Sequence, residues 1–107
     1  MKEVRGLFKF IGLMFKTRNT ENLLFEFNKD VDIGIHSFFV FFPFLVVWLD
    51  ERNRVLDFQI VKQFCFYIRP RFKFRKFVEI PINERNRELV GVIIEDRKDK
   101  IRPEHIV

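Results

Sequence analysis

Apolar and polar positions change over at short intervals along the chain, and the spacing predicts strands. Polar clusters at Thr17–Asn22, Asn28–Asp30 and Asp50–Arg54 separate apolar runs of strand length. Leu23-Leu24-Phe25-Glu26-Phe27 is one short strand candidate and Val55-Leu56-Asp57-Phe58-Gln59-Ile60 another, the latter alternating near its end. Phe72-Lys73-Phe74-Arg75 alternates strictly, and Val78-Glu79-Ile80 resumes the same parity, so Phe72, Phe74, Val78 and Ile80 are expected on one buried face. Phe38 to Leu49 carries no charge and is apolar on both faces, as suits a central strand buried on both sides. Pro43 cannot donate to a ladder, so the run is expected to divide into two strands there. A helix of about two turns is predicted from Glu84 to Val90, with Asn83 as N-cap and Gly91 as its stop.

These elements assemble into a mostly β fold: a compact single domain spanning residues 1–107, with a barrel-like or sandwich-like antiparallel sheet and one or two short helices. The expected core includes Phe25, Phe27, Phe38, Val40, Phe42, Val46, Trp48, Val55, Phe58, Phe74, Val78 and Ile80. No repeat or flexible linker marks a second domain. Left exposed, the uncharged run would aggregate, so it must be core, subunit interface or both.

Composition sharpens this reading in four ways. Sixteen Phe and the absence of Ala favour strands over helices. Abundant Lys, Arg and Glu with few amides and thiols resembles a heat-adapted proteome. A net charge of +5 favours approach to polyanions. The single cysteine, Cys65, excludes an internal disulfide and points to a reducing compartment. The N-terminus lacks a secretory layout, and the apolar run is shorter than the ~20 residues of a spanning helix. The expected location is therefore the cytoplasm, with no transmembrane segment.

Several blocks, in order, resemble the family of domain of unknown function 192. They are Gly12-Leu13-Met14-Phe15-Lys16, Leu24-Phe25-x-Phe27, Ile35-His36-Ser37-Phe38-Phe39, Phe42-Pro43 and Val46-Val47-Trp48-Leu49-Asp50. Tyr67-x-x-Pro70 and Phe77-Val78-Glu79-Ile80-Pro81 follow. The resemblance covers about Val4 to Asp96, with archaeal-type spacing, and implies a compact β-rich, barrel-like domain with short helical turns and no assigned reaction. The chain departs from the family pattern at four places. Phe41 stands where a basic residue is usual and Leu45 where an Asp is usual. Gln63 replaces a Pro, and Asn83 replaces a Gly whose left-handed backbone Asn tolerates. No polar site carries over to Phe41 or Leu45. If the usual pair bond to each other, an apolar exchange can be neutral; if they form a ligand site, this chain lacks it.

Candidate chemistry is sparse. Arg69, Arg71, Lys73, Arg75 and Lys76 place five cations within eight residues without an acid, and could track phosphates. Parity, however, buries the interleaved Phe side chains that a stacking platform would need, so a solvated or edge strand protected by charge explains the stretch as well. His36 is a candidate cleft residue. With only Cys65, His105 and carboxylates available as partners, no metal set is expected. Cys65, between Phe64 and Phe66, reads as a buried thiol, and Ser37 has no nucleophile elbow around it. No catalytic set and no cofactor are expected. The leading reading is a non-catalytic binding or interaction module for a protein or polyanion partner, its oligomeric state open. A nucleic-acid-binding β-barrel using residues 69–76 is the alternative, and a small enzyme with a site near His36 the third.

Overall fold

In a computed structural model, the chain is described at residues 2–4, 21–35, 40–62 and 68–96. His36, Phe38, Gln63, Cys65, Tyr67 and His105 lie outside those residues, so the expectations placed on them do too.

The uncharged run supplies the centre of the fold. Its second half forms a strand, Phe44–Leu49 (β3 of five), every residue of which is buried except the half-buried Leu49. On one side β3 pairs antiparallel with Val55–Val61 (β4), and on the other with Phe74–Pro81 (β5). Next to β5 runs Leu23–Val31 (β2), antiparallel, and beside β2 lies the short Lys2–Val4 (β1), which pairs with it in parallel. The sheet order is thus β1-β2-β5-β3-β4. A mostly β fold with an antiparallel sheet and a short helix is what the chain forms, with the β1–β2 pair its one parallel contact among the described strands.

Residues 40–43, ahead of β3 in the run, do not join it. They are irregular, and Pro43 offers no N–H. Its carbonyl instead accepts the N–H of Ile82 at 3.0 Å, which fastens the entry of β3 to the exit of β5. Val40 and Phe42 are buried, whereas Phe41 is 56% exposed.

Alternation along β3 divides the core between two faces. Phe44, Val46 and Trp48 join Leu23, Phe25, Phe74 and Phe77 in a largely aromatic cluster. Phe25 and Phe77 stack at 4.4 Å, and Phe74 meets Phe77 edge-on at 5.8 Å, both favoured geometries for ring pairs. Leu45 and Val47 join Phe58, Val78 and Ile80 in an aliphatic cluster. The expected core residues within the described chain all fall in one of these clusters or pack against it, Phe27 and Val55 being half-buried.

The expected parity of β5 fails, for a definable reason. Phe74 packs on the aromatic face, but Val78 and Ile80 pack on the other. The phase slips where β2 bulges between Glu26 and Val31 opposite Lys76 and Phe74, so Phe77 takes the aromatic-face position instead. Phe72 precedes the strand in a bend and is 54% exposed.

The helix is also longer and later than expected. Arg87–Asp96 (α1) covers ten residues and runs through Gly91. Asn83 does act at its entry, its Oδ1 accepting the N–H of Asn86 at 2.8 Å, as an Asx turn does. Residues 84–86 form a turn first, however, and Gly91 stops nothing, because α1 is held by packing rather than by its local signals. Val90 is buried with the aliphatic cluster, and Ile93 and Ile94 pack against it. The buried Asn86 side chain fastens the helix entry, its Nδ2 donating to Pro81 O at 2.9 Å and to Asn22 Oδ1 at 2.8 Å. Left-handed backbone, expected at Asn83, occurs instead at Asn53 (φ 63°), the one described non-glycine residue with positive φ. Asn53 closes the β3–β4 turn.

Candidate functional site

Residues 69–76 are the chain's densest cationic stretch, and the fold brings acids to most of it. Arg69 pairs with Asp32. Arg71 reaches Asp57, Nε to Oδ2 at 3.5 Å and its backbone N–H to the same oxygen at 3.3 Å. Arg75 meets Asp30 at 3.3 Å and Glu51 at 3.8 Å, and Lys76 meets Glu26 at 3.3 Å and Asn53 Oδ1 at 2.7 Å. Four of the five cations thus have carboxylate partners drawn from β2 and the residue after it, β4 and the 50–54 turn, and Lys73 is exposed beside them. Sequence alone hides these acids because they lie 14 to 50 positions away in the chain. The exposed Phe72 has the Arg71 guanidinium over its ring at 5.7 Å, so one aromatic does stand in solvent beside a cation, contrary to the expected parity.

Asp50, at the end of β3, organises the neighbouring turn. Its carboxylate accepts the N–H groups of Arg54 and Arg52 at 2.9 and 2.8 Å and the Arg54 Nε at 2.8 Å. These bonds, the Arg54 backbone N–H foremost, hold its carboxyl below the usual carboxylate range. Asp50 therefore reads as a turn residue.

A different set of groups comes together on the aromatic face. Cross-strand partners share a face, so the register places Leu23, Glu79, Val46 and Gln59 in one row across β2, β5, β3 and β4. Phe25, Phe77, Trp48 and Asp57 form the next row. Polar groups thereby enter a face otherwise built of Phe, Val and Leu. Glu79 is 5% exposed, and burial alone pushes its carboxyl from an ordinary 4.5 up to about 8. Among the described residues no hydrogen bond or opposite charge offsets that shift.

Two neighbours share the condition. Trp48 Nε1 is buried without an acceptor, and Gln59 Oε1 is buried without a donor. The Gln59 amide is oriented by its other end, where Nε2 donates to Arg69 O at 3.4 Å. The Arg69 carbonyl needs a donor, so Nε2 takes that bond and Oε1 is the end left buried and unpaired. Asp57 contrasts with them, being buried but bonded to Phe58 N–H at 2.9 Å and to Arg71. Buried polar atoms are nearly always paired, so two unpaired atoms beside a buried carboxyl around one valine set this place apart.

Sequence reasoning noticed Glu79 only as part of a block and passed over Trp48 and Gln59. One signal was present. In Phe77-Val78-Glu79-Ile80-Pro81 the residues on both sides of Glu79 are apolar, as in a strand covered on both faces, so its carboxyl had no route to solvent.

Among the described residues no three or more His, Cys, Asp and Glu side chains cluster as metal ligands, and no helix is long and apolar enough to cross a membrane. His36 lies outside the described residues, and its cleft role stays an expectation. Leu45 is buried under the helix face while Phe41 is exposed on the irregular segment, so the two positions departing from the family pattern serve different surroundings.

No protein-family model matches the chain. It is 26% identical over 103 residues to a UPF0127 protein of Thermococcus gammatolerans, an alignment covering 89% of this chain and 67% of that protein. Its fold is similar to that of a protein of unknown function from Novosphingobium aromaticivorans, with a TM-score of 0.63 and 17% identity, over 75% of this chain and 59% of the other. The chain thus spans little more than half of that solved protein. By sequence and by fold, it is similar to uncharacterised proteins.

Proposed function

We propose that the chain is a non-catalytic binding module, a cytoplasmic member of the family of domain of unknown function 192, that holds its ligand on the aromatic face of the sheet. The observation that carries this reading is the group of buried polar side chains around Val46: Trp48 Nε1 and Gln59 Oε1, which have no partner, and the Glu79 carboxyl beside them. Folding alone gains nothing from them, because an unpaired buried polar group costs about 1–3 kcal/mol. A bound molecule that completes their hydrogen bonds would offset that cost. Catalysis is not favoured, since acid–base work needs a second titratable group within hydrogen-bond reach of Glu79 or of substrate. The archaeal-type spacing of the family-like blocks and the heat-adapted composition agree with the thermococcal relative.

Native mass spectrometry of the full chain purified from cells tests the reading. A retained small-molecule mass is expected on the wild-type protein and not on Glu79→Leu. Wild-type protein that carries nothing, together with Trp48 emission indifferent to cell-extract metabolites, would count against it.

Polyanion contact is the second reading, favoured by one feature: Arg71 over the exposed Phe72, with Lys73 adjacent. Arg69, Arg75 and Lys76 would join only by exchanging their carboxylate partners for phosphates. Retardation of a single-stranded oligonucleotide that survives in Arg71→Glu/Lys73→Glu would sink it.

A further inference from the structure

Helix α1 turns one flank to the sheet and leaves apolar side chains on another. Of the large apolar side chains that stand in solvent among the described residues, only Leu89 and Val92 share an element. They are 40% and 53% exposed, one turn apart, and the half-buried Ile93 borders Leu89 at i+4. Val92 contributes little to a single copy, because a β-branched residue is a poor helix former and one in water adds no packing. Asp96 continues the stripe at i+4 from Val92, and Arg85 precedes it at i−4 from Leu89, both exposed.

We infer that this stripe is a contact between two copies of the chain, which pair through α1 antiparallel about a two-fold axis. The stripe is self-complementary. A pairing that sets Leu89 against the partner's Val92 also sets Arg85 against the partner's Asp96, because both pairs share one midpoint in the chain, and the symmetry repeats each contact. Within one copy these charges stand at unfavourable ends of the helix. The last turn of α1 carries Glu95 and Asp96 and no base, at the negative end of the helix dipole, while Arg85 stands at the positive end. Antiparallel packing brings the positive end of a second α1, with its arginine, to that acidic turn. Charge that costs the single helix stability thereby favours the pair.

Other arrangements fit less well. A parallel pair would set Asp96 against Asp96 and Arg85 against Arg85. Arg87 lies on another flank, where it meets Glu84 at 3.7 Å. At about 100° per residue, Glu88 and Glu95 fall farther round the helix and stay in the solvent rim. A partner of single-signed charge would satisfy one end of the stripe and oppose the other. The contact is small beside the ~800 Å² per partner of a stable interface, so the dimer is a weak, concentration-dependent one. Because α1 packs on the aliphatic face, pairing leaves the aromatic face untouched and is independent of the binding reading above.

Sedimentation equilibrium of the full chain between about 10 μM and 1 mM tests this. The wild type is expected to show a monomer–dimer equilibrium in that range, weakened by added salt. Arg85→Glu and Asp96→Lys each set like charges against one another at two places, and each should weaken dimerisation about tenfold. Mixed together, the two variants should regain wild-type affinity as a heterodimer, since each supplies the charge that the other's altered end needs. Recovery on mixing also separates lost pairing from lost folding. Val92→Lys, at a side chain more than half in solvent, should leave circular dichroism unchanged and the chain monomeric. A wild type that stays monomeric throughout would overturn the inference. So would a dimer that persists in Val92→Lys, or folded charge variants whose mixture associates no better than either alone. Should a charge variant fail to fold, Val92→Lys decides by itself.

Discussion

Glu79 is the residue at which folding and any binding role oppose each other. Its folded-state carboxyl lies near 8, above the ordinary 4.5 it regains on unfolding. Between those values the folded chain holds a proton that the unfolded chain gives up, so stability falls as pH rises. The contribution is fully present below about pH 4.5 and is lost on the way to 8. Calorimetry at pH 5, 6.5 and 8 should therefore give a melting temperature that declines more steeply for the wild type than for Glu79→Gln. Parallel slopes in the two proteins would mean that Glu79 ionises freely in the fold. The apolar exchange Glu79→Leu removes a buried carboxyl and should stabilise by about 1–3 kcal/mol, raising the melting temperature by several degrees. A site kept for binding commonly gives up stability in this way.

At the scale of elements, α1 shows packing overriding local signals. Glycine ordinarily ends or weakens a helix, yet Gly91 lies in the middle of α1 because Val90, Ile93 and Ile94 hold its flanks to the sheet. A Cβ added at Gly91 meets nothing within 4 Å, and the residue is exposed. Gly91→Ala should therefore stabilise by about 0.5–1 kcal/mol through helix propensity alone, read as a higher urea midpoint at unchanged slope. A lowered midpoint would show that α1 needs the freedom of that glycine. The same priority of packing appears in β5, where the bulge in β2 turns Phe77 rather than Val78 toward the aromatic cluster.

Across the whole molecule, the basic excess is less available than composition suggests. Four cations of the 69–76 stretch already face carboxylates. Counterion release scales with the charges that newly meet phosphate, at about 0.9 per contact on duplex DNA. Any nucleic-acid affinity from this stretch should therefore fall with salt at a log–log slope of about 1, supplied by Lys73, whereas five free cations would give about 4.5. A titration series in 50–200 mM salt measures it, and a slope beyond 4 would show that the acids let go on binding.

Local pattern determined the strand-rich character of the chain, the burial of the uncharged belt around β3, the turn at Asp50–Arg54 and the cationic stretch. Each depends on neighbours in sequence: alternation, absence of charge, and turn-forming side chains. Tertiary structure decided the rest. It set which face each aromatic took, because the phase of β5 depends on a bulge in β2 some 50 residues away. It brought Asp30, Asp32, Asp57 and Glu26 to the basic stretch, and it carried α1 past Gly91. Most of all, it placed Trp48, Gln59 and Glu79 around one valine. Register between strands is fixed by the summed packing of both faces, a quantity that no single segment contains.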